Sequence, residues 1–328
     1  MNFLFLFGIL IVLAIILDII WTTLWIDGGA GFITHRLSNM VWKMISKIPF
    51  GKELSGPITL MSVLLTWIAL LWLGWTLVFA SHSYSISSTL NDQPIHWENF
   101  VYYAGYTIFT LGSGDYAPTS PFWQILTNLA SGTGTLFLAL GTSYILTIVG
   151  AVVDKRTFAR GFFSMGASSD EILIDSWNGE NFSEIDSSLD SLASELSALA
   201  LRHKAYPLLH YYHTKERKEA SALAIPIMDN LLSILEYGVQ EQAKPNPLLL
   251  KKARNAVEDY LATLEKAYIT IPEEPLVLPD LERLAKEKLP VIENGTFEMK
   301  MTVVKNRRRK LHGLLVEDMW NEEDLNVL

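Results

Sequence analysis

Apolar residues gather into three long runs separated by polar loops. The first, Phe3 to Trp25, reads FLFLFGILIVLAIILDIIWTTLW and contains one charge, Asp18; the second and third are Ile58 to Ala80 and Phe122 to Val153. At about 1.5 Å per residue, each run reaches the roughly 20 residues that a helix needs to cross the hydrocarbon core. The pattern therefore predicts three transmembrane helices. A cleaved signal peptide is the rival reading of the first run, but no basic segment precedes it and no small-residue cleavage site follows it. A fourth apolar stretch, Trp97 to Gly112, is rich in aromatics and too short to cross. It either lies on the surface or dips into the membrane and returns, and non-helical backbone at that depth is tolerated only where protein or a water-filled path satisfies it.

Two further patterns are helical. Between the first two spans, Ile33, Leu37, Val41, Met44, Ile45 and Ile48 recur at helical spacing, with Arg36, Lys43 and Lys47 off the stripe. Such a segment is a helix lying on the membrane surface or one packing on soluble structure. Beyond a polar stretch at 165 to about 180, helical periodicity returns near Ser183–His203, Glu216–Gln242, Asn246–Ile269 and Leu278–Lys288, broken at KPNP and IPEEP. Asp18 is costly in lipid, so it is expected to face protein and bond Thr22, Thr23 or a neighbouring helix.

Charge orients these spans. The loop between the first two carries Arg36, Lys43, Lys47 and Lys52, the third span is followed at once by Lys155, Arg156 and Arg160, and no Lys or Arg occurs from Ser81 to Pro121. The positive-inside rule then places the N-terminus outside, 26–57 in the cytoplasm, 81–121 outside and the C-terminal half in the cytoplasm of a multi-pass cell-membrane protein. The net charge of −9 over 328 residues lies in the C-terminal half and disfavours nucleic acid as a partner. The chain has no cysteine, which excludes thiolate metal sites and cysteine nucleophiles.

The sequence TLGSGDYAP, Thr110 to Pro118, follows the short aromatic segment. Gly112 and Gly114 can take the positive φ that turns alternate peptide groups to one side. The order of span, short aromatic helix, TLGSGD and span resembles the pore module of the tetrameric potassium channel family, whose filter strips water from the ion with backbone carbonyls. Thr110, Leu111, Gly112, Ser113, Gly114 and Asp115 match that filter in register; Ser113 stands where the family has tyrosine or phenylalanine, and Pro118 where it often has proline. The resemblance covers roughly residues 55 to 155. It implies potassium binding at Thr110 to Gly114, through the Thr110 hydroxyl and the carbonyls of Thr110 to Ser113, with Asp115 at the outer mouth supported by Tyr102 or Tyr103. Gly134, nineteen residues after Asp115, falls at the family's hinge glycine; a small residue for close packing with Ala130 is the other reading. Thr135, Leu138, Thr142, Leu146 and Val149 would line the inner cavity. One loop cannot enclose an ion, so four copies are implied.

Ser113 leaves three outcomes open. Nearby tyrosines (Tyr102, Tyr103, Tyr106, Tyr116) replace the missing ring and potassium is preferred, or sodium passes too, or the pore no longer conducts and the chain is a membrane-anchored scaffold or sensor. In the C-terminal half no Gly-x-Gly-x-x-Gly unit follows a strand, which argues against a nucleotide-binding regulatory domain. His203, His210 and His213 could bind a metal or sense pH, but lack a fourth ligand at diagnostic spacing. The run KNRRRK, Lys305 to Lys310, could touch anionic lipid, form a solvated helix face, or pair with the acidic stretch at 170–195. No nucleophile–base pair, cofactor motif or voltage-sensing arginine repeat is present, so an enzyme is not expected. The expected fold is an all-α membrane protein: an N-terminal span (1–25), an inner loop with an interfacial helix (26–57), a pore module with a re-entrant helix and filter (58–156), a linker (157–180) and a helical cytoplasmic domain (181–328). Its partners would be three further copies of itself, potassium and membrane lipid.

Overall fold

A computed structural model describes residues 2–26, 29–48, 53–90, 94–266 and 269–325; Lys52, among the bases that orient the inner loop, lies outside them. The chain divides into two compact units, one of residues 1–149 with 206–211, the other of 150–205 with 212–328.

The first unit is built on three helices long and apolar enough to cross a membrane. Helix α1 (Phe3–Leu24) buries Gly8, Val12, Ile15, Asp18, Ile19 and Thr22 on one face. Its other faces expose Leu6, Leu10, Leu13 and Leu17, the surface a lipid-facing helix presents. Helix α2 (Phe32–Ile45) buries Thr34, Ser38, Val41 and Ile45. Helix α3 (Ser55–Ala80) is central, packing against both. Gly8 and Gly74 let α1 and α3 approach: a Cβ on Gly8 would stand 2.7 Å from the Gly74 carbonyl oxygen, and one on Gly74 2.7 Å from Val12. Small residues at the crossing are how apolar helices associate in lipid, where water drives no burial.

Asp18 is satisfied by that packing. Its carboxylate accepts the Ile33 amide at 2.8 Å, the Thr34 hydroxyl at 2.6 Å and the Trp67 indole N–H at 2.9 Å. Thr22 accepts the Gly31 amide at 2.9 Å, while Thr23 bonds back to Ile19 in its own helix. Asp18 thus caps α2 from a neighbouring helix, covering amides that a helix start leaves open. The buried stripe of α2 differs from the one the sequence suggests, because Thr34 and Ser38 turn inward to α1 and α3 while Met44 and Ile48 stay exposed.

After α3 come strand β1 (Ile86–Ser88), helix α4 (Trp97–Ile108), strand β2 (Tyr116–Pro118) and helix α5 (Pro121–Phe163). The two short strands pair antiparallel, Ser87 opposite Ala117, a small departure from an all-helical chain. Helix α4 opens with a capping box between His96 and Asn99. Helix α5 runs for 43 residues, ten past the predicted end of its span. At about 1.5 Å per residue that is some 65 Å, twice the roughly 30 Å of a bilayer core. Lys155, Arg156 and Arg160 therefore extend a helix rather than end it. Tyr206–Tyr211 completes this unit: the Ser55 hydroxyl donates to the Tyr211 carbonyl at 2.6 Å, and the Tyr211 hydroxyl to Asn39 at 2.7 Å.

The second unit holds the end of α5 and helices α6 (Ser169–Asp175), α7 (Asp186–Ala205), α8 (Ser221–Ser233), α9 (Pro247–Glu265), α10 (Glu282–Lys286), α11 (Asn294–Met301) and α12 (Lys305–Glu317). The stretch 157–180 is not a linker. Phe158 and Phe162 of α5 and Ile172 and Leu173 of α6 are buried, because apolar residues sit every third or fourth position among the polar ones. Helix α8, buried along its whole length, forms the centre.

The arginines of KNRRRK and Lys310 bond to groups other than the acidic stretch at 170–195. Arg307 and Arg308, with Arg254 of α9, converge on Asp229 of α8, which is fully buried. Burial alone would raise that carboxyl, but the three guanidinium groups more than reverse it and hold it below the usual carboxylate range. Arg309 donates to the Pro272 carbonyl at 2.7 Å and Lys310 pairs with Glu265 at 2.5 Å. The three histidines do not assemble: His203 packs edge-on against Tyr260, His213 pairs with Asp318, and His210 belongs to the first unit. Among the described residues no cluster of three or more His, Asp or Glu could hold a metal ion.

Candidate functional site

The segment Thr110–Asp115 follows α4 directly, and the way that helix ends sets its course. The Leu111 amide donates back to the Tyr106 carbonyl at 2.9 Å and the Thr110 amide to the Thr107 carbonyl at 3.2 Å. Both bonds belong to the helix-ending motif in which one residue turns left-handed. That residue is Thr110, at φ 55°. Glycine usually fills this place; a β-branched residue there costs on the order of 1–3 kcal/mol and persists only when its surroundings hold it.

The left-handed turn then repeats. Gly112 lies at φ 63° and Gly114 at φ 76°, so positive φ recurs at every second residue from 110 to 114. Alternating handedness swings successive carbonyls toward one side, which an ordinary extended strand, with carbonyls pointing alternately, cannot do. All five residues are exposed, and a Cβ on either glycine would meet nothing within 4 Å. Among the described residues, the carbonyls of Thr110, Leu111, Gly112 and Ser113 accept no hydrogen bond. The Gly114 carbonyl does: it takes the Thr89 hydroxyl at 2.7 Å.

Both ends of the segment are anchored. Tyr102 donates to the Asp115 carboxylate at 2.8 Å, and the Asp115 carbonyl accepts the Thr89 amide at 3.0 Å. Tyr103 does not join Asp115; its hydroxyl pairs with Thr127 of α5 at 2.5 Å. Tyr102 packs edge-on against Tyr106 (ring centroids 5.3 Å apart) and Tyr116 (6.1 Å), and the Tyr116 hydroxyl receives Asn99 at 2.6 Å. This cluster stands beside a segment whose own residue 113 has no ring.

Helix α4 is positioned from behind by tryptophans. The Trp72 indole donates to the Val101 carbonyl at 2.8 Å and packs edge-on against Phe109; Trp75 donates to Thr133 of α5 at 2.9 Å. Gly134 lies under the end of α4, where an added Cβ would overlap the Ile108 carbonyl oxygen and stand 2.8 Å from its carbon. On α5, Thr135, Leu138, Thr142, Leu146 and Val149 are all exposed, opposite the buried Ala130, Gly134, Gly141, Tyr144 and Ile148. Thr89, Trp72 and Trp75 are absent from the sequence-derived site. Thr89 carries no signal in a loop of serines and threonines. The tryptophans do carry one, since an indole N–H inside an apolar helix bundle must find an acceptor.

The site is thus an exposed, alternately left-handed segment between the last two of three helices long and apolar enough to cross a membrane. A family model described as "Ion channel" matches residues 62–151, from within α3 to just past the end of the first unit. Over 312 residues, 94% of this chain and 92% of the relative, the sequence is 38% identical to "Uncharacterized membrane protein YdjJ" of Bacillus subtilis (strain 168). No solved structure matches significantly. The chain belongs to the ion channel family and is a membrane protein.

Proposed function

We propose that four copies of this chain form a potassium-preferring cation channel whose filter is Thr110–Asp115. The observation that carries this is the positive φ at Thr110, Gly112 and Gly114 in an exposed segment with four unclaimed carbonyls. Rings of such carbonyls, one segment from each subunit, replace the hydration shell of an ion. The carboxyl end of α4, with its partial negative charge, directly precedes the segment and favours a cation there. The flanking loop carries Glu98 and Asp115 and no Lys or Arg from Ser81 to Pro121, so its field draws cations toward the mouth.

In this reading α4 is a re-entrant pore helix, residues 58–156 are the pore module and Thr135, Leu138, Thr142 and Leu146 line the cavity below the filter. The N-terminus is outside, and 26–57 and the helical unit are in the cytoplasm, as the distribution of bases requires. Gly134 serves as a packing residue under α4. The tyrosines at 102, 106 and 116 supply the bulk that Ser113 lacks, which favours potassium over sodium.

Reconstitution of the full chain in planar bilayers, with potassium on one side and sodium on the other, tests the proposal. A reversal potential close to the potassium equilibrium value is expected. Equal permeability to the two ions would reject the preference. Silence at every voltage, pH and calcium concentration would make the chain a non-conducting scaffold.

A further inference from the structure

Helices α1 and α2 enclose a groove of about 560 Å³, lined by Ala14, Leu17, Trp21, Phe32, Ile33 and His35, with Asp18 at its floor. The filter makes no use of it. Leu17 and Phe32 are more than 60% exposed within it. The single charge at the floor is already committed, since Asp18 serves Ile33, Thr34 and Trp67. What remains for a ligand is apolar wall.

The rim has the opposite character. Arg36 lies exposed with its guanidinium 4.1 Å from the centre of the Phe32 ring, so it stands at the lip of the groove. Lys43 is seven residues further on, about two helical turns, and therefore on the same line of α2; Lys47 follows just beyond the helix, also exposed. The described residues from Gly29 to Ile48 include no Asp or Glu. Of the amides at the start of α2, Asp18 and Thr22 occupy those of Gly31, Ile33 and Thr34, which leaves too few for an anion site of backbone alone. Side chains must hold the negative group.

We infer that this groove is a binding site for one anionic phospholipid, an acyl chain lying along Leu17 and Phe32 and the headgroup phosphate held by Arg36. Basic pockets between spans on the cytoplasmic side take such headgroups. The groove opens on α1, a helix that crosses the membrane by length and composition, so a bilayer lipid reaches it without leaving the membrane. The assignment rests on the inner position of α2 given under Proposed function, but not on conduction.

The test is native mass spectrometry of the full-length protein in detergent, titrated with phosphatidylglycerol or with phosphatidylcholine of the same chains. The wild type is expected to retain phosphatidylglycerol about fivefold better, the factor that about 1 kcal/mol for one guanidinium at a membrane surface would produce. Arg36→Gln should abolish the preference, lowering phosphatidylglycerol retention more than that of phosphatidylcholine, whose phosphate Arg36 also meets but whose choline cation opposes it. Leu17→Trp fills the groove from an exposed position and should lower retention of both; Ala14→Leu, also exposed, is the second filling variant should the first fold poorly. Equal retention of the two lipids by the wild type would overturn the inference. So would competition by inorganic phosphate that Leu17→Trp does not alter, which would mean a free anion at Arg36, or loss of subunits rather than lipid in Leu17→Trp, which would mean a neighbouring copy fills the groove. Because retention is read without current, a silent pore leaves this result interpretable. External rather than cytoplasmic labelling of a cysteine replacing Lys47 would reject the topology instead.

Discussion

Replacing Gly134 by alanine adds one methyl group where α5 passes under the end of α4. That carbon would overlap the Ile108 carbonyl oxygen and stand 2.8 and 2.9 Å from the carbonyl carbon and Cα of the same residue. All three atoms are backbone, so no side chain can swing aside and one helix must move. Overpacking of this kind costs about 1–3 kcal/mol. The gain in helix propensity from glycine to alanine, about 1 kcal/mol, offsets part of it. Gly132 and Gly150 lie on the same helix with nothing within 4 Å of an added Cβ. Gly132→Ala and Gly150→Ala thus collect the propensity gain alone, and the difference between them and Gly134→Ala isolates the overpacking. Thermal unfolding of the purified protein in detergent should put Gly134→Ala several degrees below both controls. Ile108 precedes Thr110 by two residues, so the displacement reaches the proposed filter and the potassium-to-sodium permeability ratio should fall as well. Equal midpoints and equal permeability ratios in all three variants would refute the reasoning. A variant that keeps its midpoint but no longer opens would make Gly134 a hinge rather than a packing residue.

Asp18→Leu should destabilise the first unit by at least about 3 kcal/mol, because each buried donor left unpaired costs on the order of 1–3 kcal/mol and the Thr34 hydroxyl and the Ile33 and Thr34 amides lose their acceptor, while the Trp67 indole keeps the Thr34 hydroxyl at 3.2 Å; the midpoint in detergent reads this, and Asp18→Asn should lose less. Tyr102→Phe removes the hydrogen bond to Asp115, exposed and therefore worth about 1 kcal/mol or less, so the midpoint should hold while sodium permeability rises in bilayers. Burial, with the nearby Lys155 ammonium adding to it, pushes His203 down from 6.5 to about 3. The unfolded chain then takes a proton below pH 6.5 that the folded one refuses, and stability falls with pH through that window, by about 2 kcal/mol at pH 5. Midpoints at pH 7 and pH 5 should therefore lie closer together in His203→Gln than in the wild type.

The three spans were readable because length and apolarity are local properties, and a bilayer imposes one length on any helix that crosses it. TLGSGD was readable for a similar reason, since positive φ at alternate positions asks for glycine and two of the three places have it. Thr110 was recognised by its match to a family pattern; its left-handed turn follows from how α4 ends. The helices of the second unit showed through their periodicity, yet the start of α12 was read as a charged run for lipid, solvent or the acidic stretch. Its arginines face inward because Asp229, about 80 positions earlier, lies there to receive them.

By itself the sequence determined how many segments can cross a membrane, which loops carry the bases, and where a glycine-patterned turn interrupts the apolar runs. Each of these follows from residues within about one helix length of one another. Only the tertiary structure decided what Asp18 caps, why position 134 must be glycine, which tyrosine holds Asp115, that Thr89 ties down Gly114, and that α5 continues past its span into the second unit. These are pairings across tens of residues, and they depend on which faces of the helices meet. A hydrogen bond or a close approach is settled by distance in space, and the chain can bring many different partners to the same distance.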